Sequence, residues 1–143
     1  MTTTDFEFAV RGGFHAVRVL RHHLGAWMHE IGVQPALIDD VQLAVSELAA
    51  NAIEASPLGE ADIEGNADSD TLRLAITNTA RHEFRWPEGH DDHGPDPSAV
   101  RGRGLQIAAA ITDSLHISTQ RGCTTAVLTK HLLGTPAIAE RTA

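Results

Sequence analysis

The chain has 143 residues, 42% of them hydrophobic, which suits one domain around a single packed core. Its 11 Lys and Arg stand against 19 Asp and Glu, a formal charge of −8, which argues against a nucleic-acid binder; an acidic surface serves solubility first and a basic protein partner second. No run is apolar enough to span a bilayer, Met1-Thr2-Thr3-Thr4-Asp5 is no signal peptide, and the single Cys123 cannot form an internal disulfide, so the expectation is a cytoplasmic protein without membrane contact.

From the N-terminus, Phe6, Phe8 and Val10 alternate with Glu7 and Ala9, the period of a half-buried strand. Beyond Gly12-Gly13, Val17, Leu20, Leu24, Trp27, Met28 and Ile31 recur at helical spacing and predict a helix that Gly32 stops. Pro35 suits the first turn of a second helix, with Asp39 and Asp40 near its positive end. The buried stripe of that helix is Ile38, Val41, Val45, Leu48 and Ala52, and Ser56-Pro57-Leu58-Gly59 ends it. Residues 61–67 and 71–79 read as strands around a polar turn at Asp68-Ser69-Asp70. Residues 80–98 hold no periodic apolar pattern, and a loop of that length inside a compact domain is a functional lid or disordered. A third helix is expected from Gly104 through Leu105, Ile107, Ala108 and Ile111 toward Leu115. Strands at 116–120 and 124–132 flank a turn at Arg121-Gly122, and from about Gly134 the chain reads as a frayed tail. Strands joined by hairpins are antiparallel, which excludes a doubly wound parallel sheet. The expected fold is a two-layer α/β sandwich of the α+β class, a mixed, mostly antiparallel sheet with its helices on one face.

Two short segments carry candidate chemistry. On the second helix Glu47 and Asn51 are one turn apart, beside the buried stripe, where a cleft residue belongs. A carboxylate there accepts a proton and an amide oxygen ligates a hard cation; spacing alone equally allows a solvated surface pair. Arg101-Gly102-Arg103-Gly104-Leu105 lies between the loop and the third helix. Its glycines let backbone N–H groups approach an anion at the positive end of the helix, and the arginines suit phosphate oxygens. Taken alone, this segment also reads as a flexible hinge.

Taken together, Glu47-x-x-x-Asn51-Ala52 on a helix, a hairpin strand, a long loop, and Gly102-Arg103-Gly104-Leu105 opening a helix resemble the Bergerat-fold ATPases, the gyrase, chaperone and histidine-kinase-like superfamily. The run Val45-Ser46-Glu47-Leu48-Ala49-Ala50-Asn51-Ala52 and the short length are most similar to the bacterial anti-sigma-factor serine kinases. The resemblance covers about residues 5–132, with a lid at about 80–103, and implies a single ATP-binding domain. It implies that Glu47 is the general base, that Asn51 ligates Mg²⁺, and that Arg101, Gly102, Arg103, Gly104 and Leu105 wrap the phosphates of ATP. Thr124 matches a threonine near the adenine, although Cys123 interrupts the usual glycine-threonine step. The implied function is a serine kinase that holds a sigma factor and phosphorylates an antagonist protein, with room for a homodimer; the alternative is a degenerate module working by contact alone.

One family element departs from its pattern. Where the family carries Asp-x-Gly-x-Gly, this chain reads Asn78-Thr79-Ala80-Arg81-His82. An Asn oxygen still accepts from the adenine amine, but lost charge assistance costs on the order of 1 kcal/mol, about fivefold in affinity. Restoring Asp is therefore expected to tighten ATP severalfold, unless Ala80 and His82, in place of glycines, close the pocket. Among the 9 histidines, His90 and His93 share the loop with Asp91 and Asp92, a weak transition-metal signal without fixed geometry. His22 and His23 fall on the polar side of the first helix, Trp27 and Met28 read as core or interface, and Cys123 as structural.

Overall fold

The structure, a computed structural model, describes residues 4–86 and 100–132, with the side chains of 5–86 and 104–132. In chain order its elements are β1 (Thr4–Val10), α1 (His15–Glu30), α2 (Pro35–Ala55), β2 (Ala61–Ala67), β3 (Thr71–Thr79), α3 (Val100–Ile111), β4 (Ser114–Gln120) and β5 (Cys123–His131). The strands form one sheet in the order β1-β2-β3-β5-β4, and every pairing is antiparallel. The two-layer sandwich expected from the sequence is present, with no parallel pair among the described strands.

Alternation along the strands decides which face the helices cover. Phe6, Val10, Ile63, Leu72, Leu74, Ile76, Ala126 and Leu128 are buried in one cluster with Leu20, Leu24 and Met28 of α1 and Val41, Val45 and Leu48 of α2. Asp5, Glu7, Asp62, Glu64 and Arg73, which alternate with them, are exposed on the other face. Trp27 lies 5.2 Å from Phe6 between ring centres, the planes tilted by 32°, and belongs to this packing, while His22 and His23 are exposed. No described helix is long and apolar enough to cross a membrane.

Local chemistry sets the ends of the elements. Gly32, at φ +88°, closes α1 in a Schellman arrangement: its N–H donates to the His29 carbonyl and that of Val33 to Met28, at 3.1 and 2.9 Å. Pro35 starts α2, and Ser56 ends it, its hydroxyl oxygen accepting from the N–H groups of Leu58 and Glu60. Arg121 and Gly122 both take positive φ, 52° and 79°, as a two-residue hairpin turn matched to strand twist demands.

The third helix differs from its sequence reading at both ends. It starts at Val100, so Arg101, Gly102, Arg103 and Gly104 are helical rather than a loop before it, and the loop ends that much earlier. Glycine lowers helix propensity without forbidding the conformation, and packing of Leu105 and Ala108 outweighs that. The helix stops at Ile111 because Lys130 Nζ donates to the Ile111 carbonyl at 2.6 Å and the Asp113 N–H already pairs with Thr129. Leu115 therefore lies in β4, which begins at Ser114.

Candidate functional site

A cavity of about 500 Å³ opens between α2, β3, the beginning of α3 and the β4–β5 hairpin. Asn51 from α2, Asn78 from β3, Leu105 from α3 and Thr124 from β5 all line it. Four residues spread over 73 positions of sequence thus meet at one place. The floor is apolar, from Leu48, Ala52, Ile76, Ile117 and Ala126, and the volume suits a nucleotide-sized ligand.

Asn78 is the polar group set deepest in this wall, only 6% exposed. Its Nδ2 donates to the Thr79 carbonyl at 2.9 Å. A carbonyl only accepts, so this bond fixes which end of the amide is which. The Oδ1 is left without a hydrogen-bond partner among the described residues. A buried acceptor left unpaired costs about 1–3 kcal/mol, which a ligand bearing an N–H donor would recover. The adenine amino group is such a donor, so the residues present fit the base.

Thr124 pairs with Asn78 across β3 and β5. Its hydroxyl lies 2.8 Å from that of Thr119, and Thr119 Oγ1 also accepts the Phe84 N–H at 2.9 Å. Together with the Ala80 N–H on the Gly122 carbonyl at 2.8 Å, this straps residues 80–86 to the hairpin. Phe84 lines the cavity and meets Trp86 edge-to-face at 5.4 Å, and both pack against the core. The sequence reads this stretch as the start of a functional lid or a disordered loop, and does not single out Phe84, Trp86 or Thr119. The available signal was the alternation Phe84-Arg85-Trp86, half-buried, exposed, half-buried.

Ala80 and His82 do not close the pocket. Arg121 is the one non-glycine residue with positive φ among those described, so both adopt ordinary backbone conformations that need no glycine. His82, Arg81 and Arg85 add positive or ionisable groups to the cavity rim, against Glu54 and Glu83.

Glu47 is half-buried one turn from Asn51, outside the cavity wall itself, and lies against Gly104 of α3. Arg101, Gly102 and Arg103 fall in the first turn of α3, whose N–H groups have no intrahelical acceptor; their side chains, like His90, Asp91, Asp92 and His93, lie outside the described residues. Among the described residues no three His, Cys, Asp or Glu side chains gather to hold a metal. Mg²⁺ bound with a nucleotide needs few protein ligands beside the phosphates, and Asn51 brings an amide oxygen, a hard donor, to the cavity wall.

The histidine kinase-like ATPase domain family matches residues 14–130, a span that holds every one of these residues. The RsbU and RsbW domains of Rv1364c from Mycobacterium tuberculosis share the fold at a TM-score of 0.67, with 23% identity over 90% of this chain. The chain spans 32% of that longer protein. The SiaB–SiaC complex from Pseudomonas aeruginosa is similar at a TM-score of 0.57 and 15% identity, covering 88% of this chain and 89% of that one.

Proposed function

Because this chain belongs to the histidine kinase-like ATPase domain family, we propose that it is an ATP-binding regulatory protein that acts as a serine kinase, phosphorylating an antagonist protein and sequestering a sigma factor. The observation that carries the nucleotide site is the cavity itself, where Asn51, Thr124 and Asn78 converge, the Asn78 Oδ1 having no partner among the described residues. On this reading Asn78 Oδ1 accepts from the adenine amine, and Leu105 and Phe84 supply apolar walls for the base. Asn51 holds Mg²⁺, and the first-turn N–H groups of α3, with Arg101, Gly102 and Arg103, hold phosphate oxygens, while Gly104, one residue further on, lies against Glu47. Bound Mg²⁺-ATP supplies the phosphoryl group that the partner's serine oxygen receives, ADP being the leaving group. Glu47 takes the proton of that serine hydroxyl.

A protein partner gains support from a neighbour of the same fold having been solved as a two-protein complex, SiaB–SiaC. Titration of the purified protein with ATP, with and without Mg²⁺, tests the site. Phosphorylation of a candidate antagonist by wild type and by Glu47→Ala tests the chemistry, and equal labelling by both would remove Glu47 as the base. A second reading is a module that binds by contact alone. The neutral Asn78 in place of a family aspartate favours it, and failure to bind ATP at millimolar concentration would establish it.

A further inference from the structure

Gly104 is buried, sits five residues into α3, and has no positive φ, so its backbone needs no glycine. In such a helix position glycine is the poorest choice of the ordinary residues. A Cβ placed there would come 2.5 Å from Glu47 Oε2, 3.3 Å from its Cδ and 3.8 Å from its Cβ. All three nearest atoms belong to one side chain, so the space that glycine leaves empty is the space the Glu47 carboxylate occupies. No hydrogen bond or ion pair engages that carboxylate among the described residues. Among the described residues, what the carboxylate packs against is the bare face of α3 at Gly104.

We infer that Gly104 is a positioning residue for Glu47, holding the carboxylate beside the nucleotide cavity by the absence of its own side chain; this rests on the reading of Glu47 as the base. It differs from phosphate wrapping, because Gly104 faces α2, whereas its neighbour Leu105 faces the cavity. A methyl group at 104 has to push the carboxylate aside. The end of a glutamate swings easily, so the helix survives and the geometry at the reacting hydroxyl or water does not.

The test is Gly104→Ala, read in two ways. In protein carrying ¹³Cδ-labelled glutamate, with the Glu47 signal assigned by its loss in Glu47→Gln, the Glu47 resonance should move while those of Glu54 and Glu60 stay. Steady-state Mg²⁺-ATP hydrolysis should fall by about 10- to 100-fold in kcat, the cost of an ångström-scale misplacement, with KM within about threefold. In a Glu47→Gln background, Gly104→Ala should have no further effect on kcat. An unmoved Glu47 resonance, or wild-type kcat in Gly104→Ala, overturns the inference. If Glu47→Gln itself keeps wild-type turnover, the base assignment fails, and the resonance still decides whether Gly104 places the side chain. Should Gly104→Ala fail to fold, adding Glu47→Ala must restore folding, since only Glu47 atoms stand in the way; failure to do so also overturns it.

Discussion

At the scale of single residues, the proposed nucleotide site makes Asn78 the group that selects the base. One N–H of its amide is committed to the Thr79 carbonyl, while its Oδ1 has no partner among the described residues and stands as the acceptor for a ligand. Adenine presents an amino group at the matching ring position and guanine a carbonyl oxygen, which would face Oδ1 with no proton between them. ATP should therefore bind at least about tenfold more tightly than GTP, the value of one hydrogen bond made rather than opposed. Calorimetric titration with each nucleotide measures this directly, and equal affinities would remove Asn78 from base recognition. The same bond changes what restoring the family aspartate achieves. Asn78→Asp adds charge assistance toward the adenine amine, but it strips the Thr79 carbonyl of its donor and sets a carboxylate oxygen against it. At 6% exposure that substitution should cost the nucleotide-free protein about 1–3 kcal/mol at neutral pH. The severalfold gain in ATP affinity expected from charge alone should shrink accordingly, and urea unfolding beside titration of both forms separates the two effects.

Among the elements, the strap 80–86 and the β2–β3 turn show different limits of sequence reading. The strap was obscured because its aromatic alternation is short and embedded in the polar run 80–98, while its hydroxyl anchor Thr119 is 35 residues away from Phe84 and visible only through strand register. Thr119→Val should leave the Phe84 N–H without an acceptor, costing about 1 kcal/mol of stability and loosening the Phe84 wall, whereas Thr119→Ser should retain both. Trp86 emission, beside thermal unfolding, reports whether the strap is released. The β2–β3 turn, by contrast, was legible outright, since Asp68-Ser69-Asp70 has turn chemistry at sequence level. Asp68 Oδ1 accepts the N–H groups of Asp70 and Thr71 at 2.8 and 2.9 Å, which favours the charged form and lowers the carboxyl's pKa below its ordinary 3.8. A lowered folded-state pKa gives stability that is full above that ordinary value and lost as pH falls through the folded one. Asp68→Asn keeps an acceptor oxygen without the charge, so the stability difference from wild type should vanish in acid below that range and persist at neutral pH.

For the whole molecule, hydrophobic periodicity was enough to read the sandwich, because α1, α2, β2 and β3 each bury a regular stripe. The start of α3 was not legible, since two glycines and two arginines in alternation carry loop chemistry and only packing of Leu105 and Ala108 shows the segment to be helical. The convergence of Asn51, Asn78 and Thr124 came through resemblance rather than pattern, as none of these residues carries a local signal strong enough to stand alone. Folding and nucleotide binding are linked through that convergence. Any ligand that binds the folded chain and not the unfolded one stabilises it, by about 2.7 kcal/mol at a hundred times its dissociation constant. For a chain of 143 residues that corresponds to a rise of about 8 °C in unfolding temperature. Glu47→Ala should show the same rise with Mg²⁺-ATP as wild type, because a group acting on the receiving hydroxyl contributes little to nucleotide affinity. Asn51→Ala should lose most of the Mg²⁺-dependent part of the rise while keeping the smaller shift that ATP gives without metal. Equal shifts for Asn51→Ala and wild type in the presence of Mg²⁺ would separate Asn51 from the metal. A wild-type unfolding temperature unmoved by millimolar Mg²⁺-ATP would leave the cavity without a nucleotide to hold, and regulation would then have to proceed through protein contact alone.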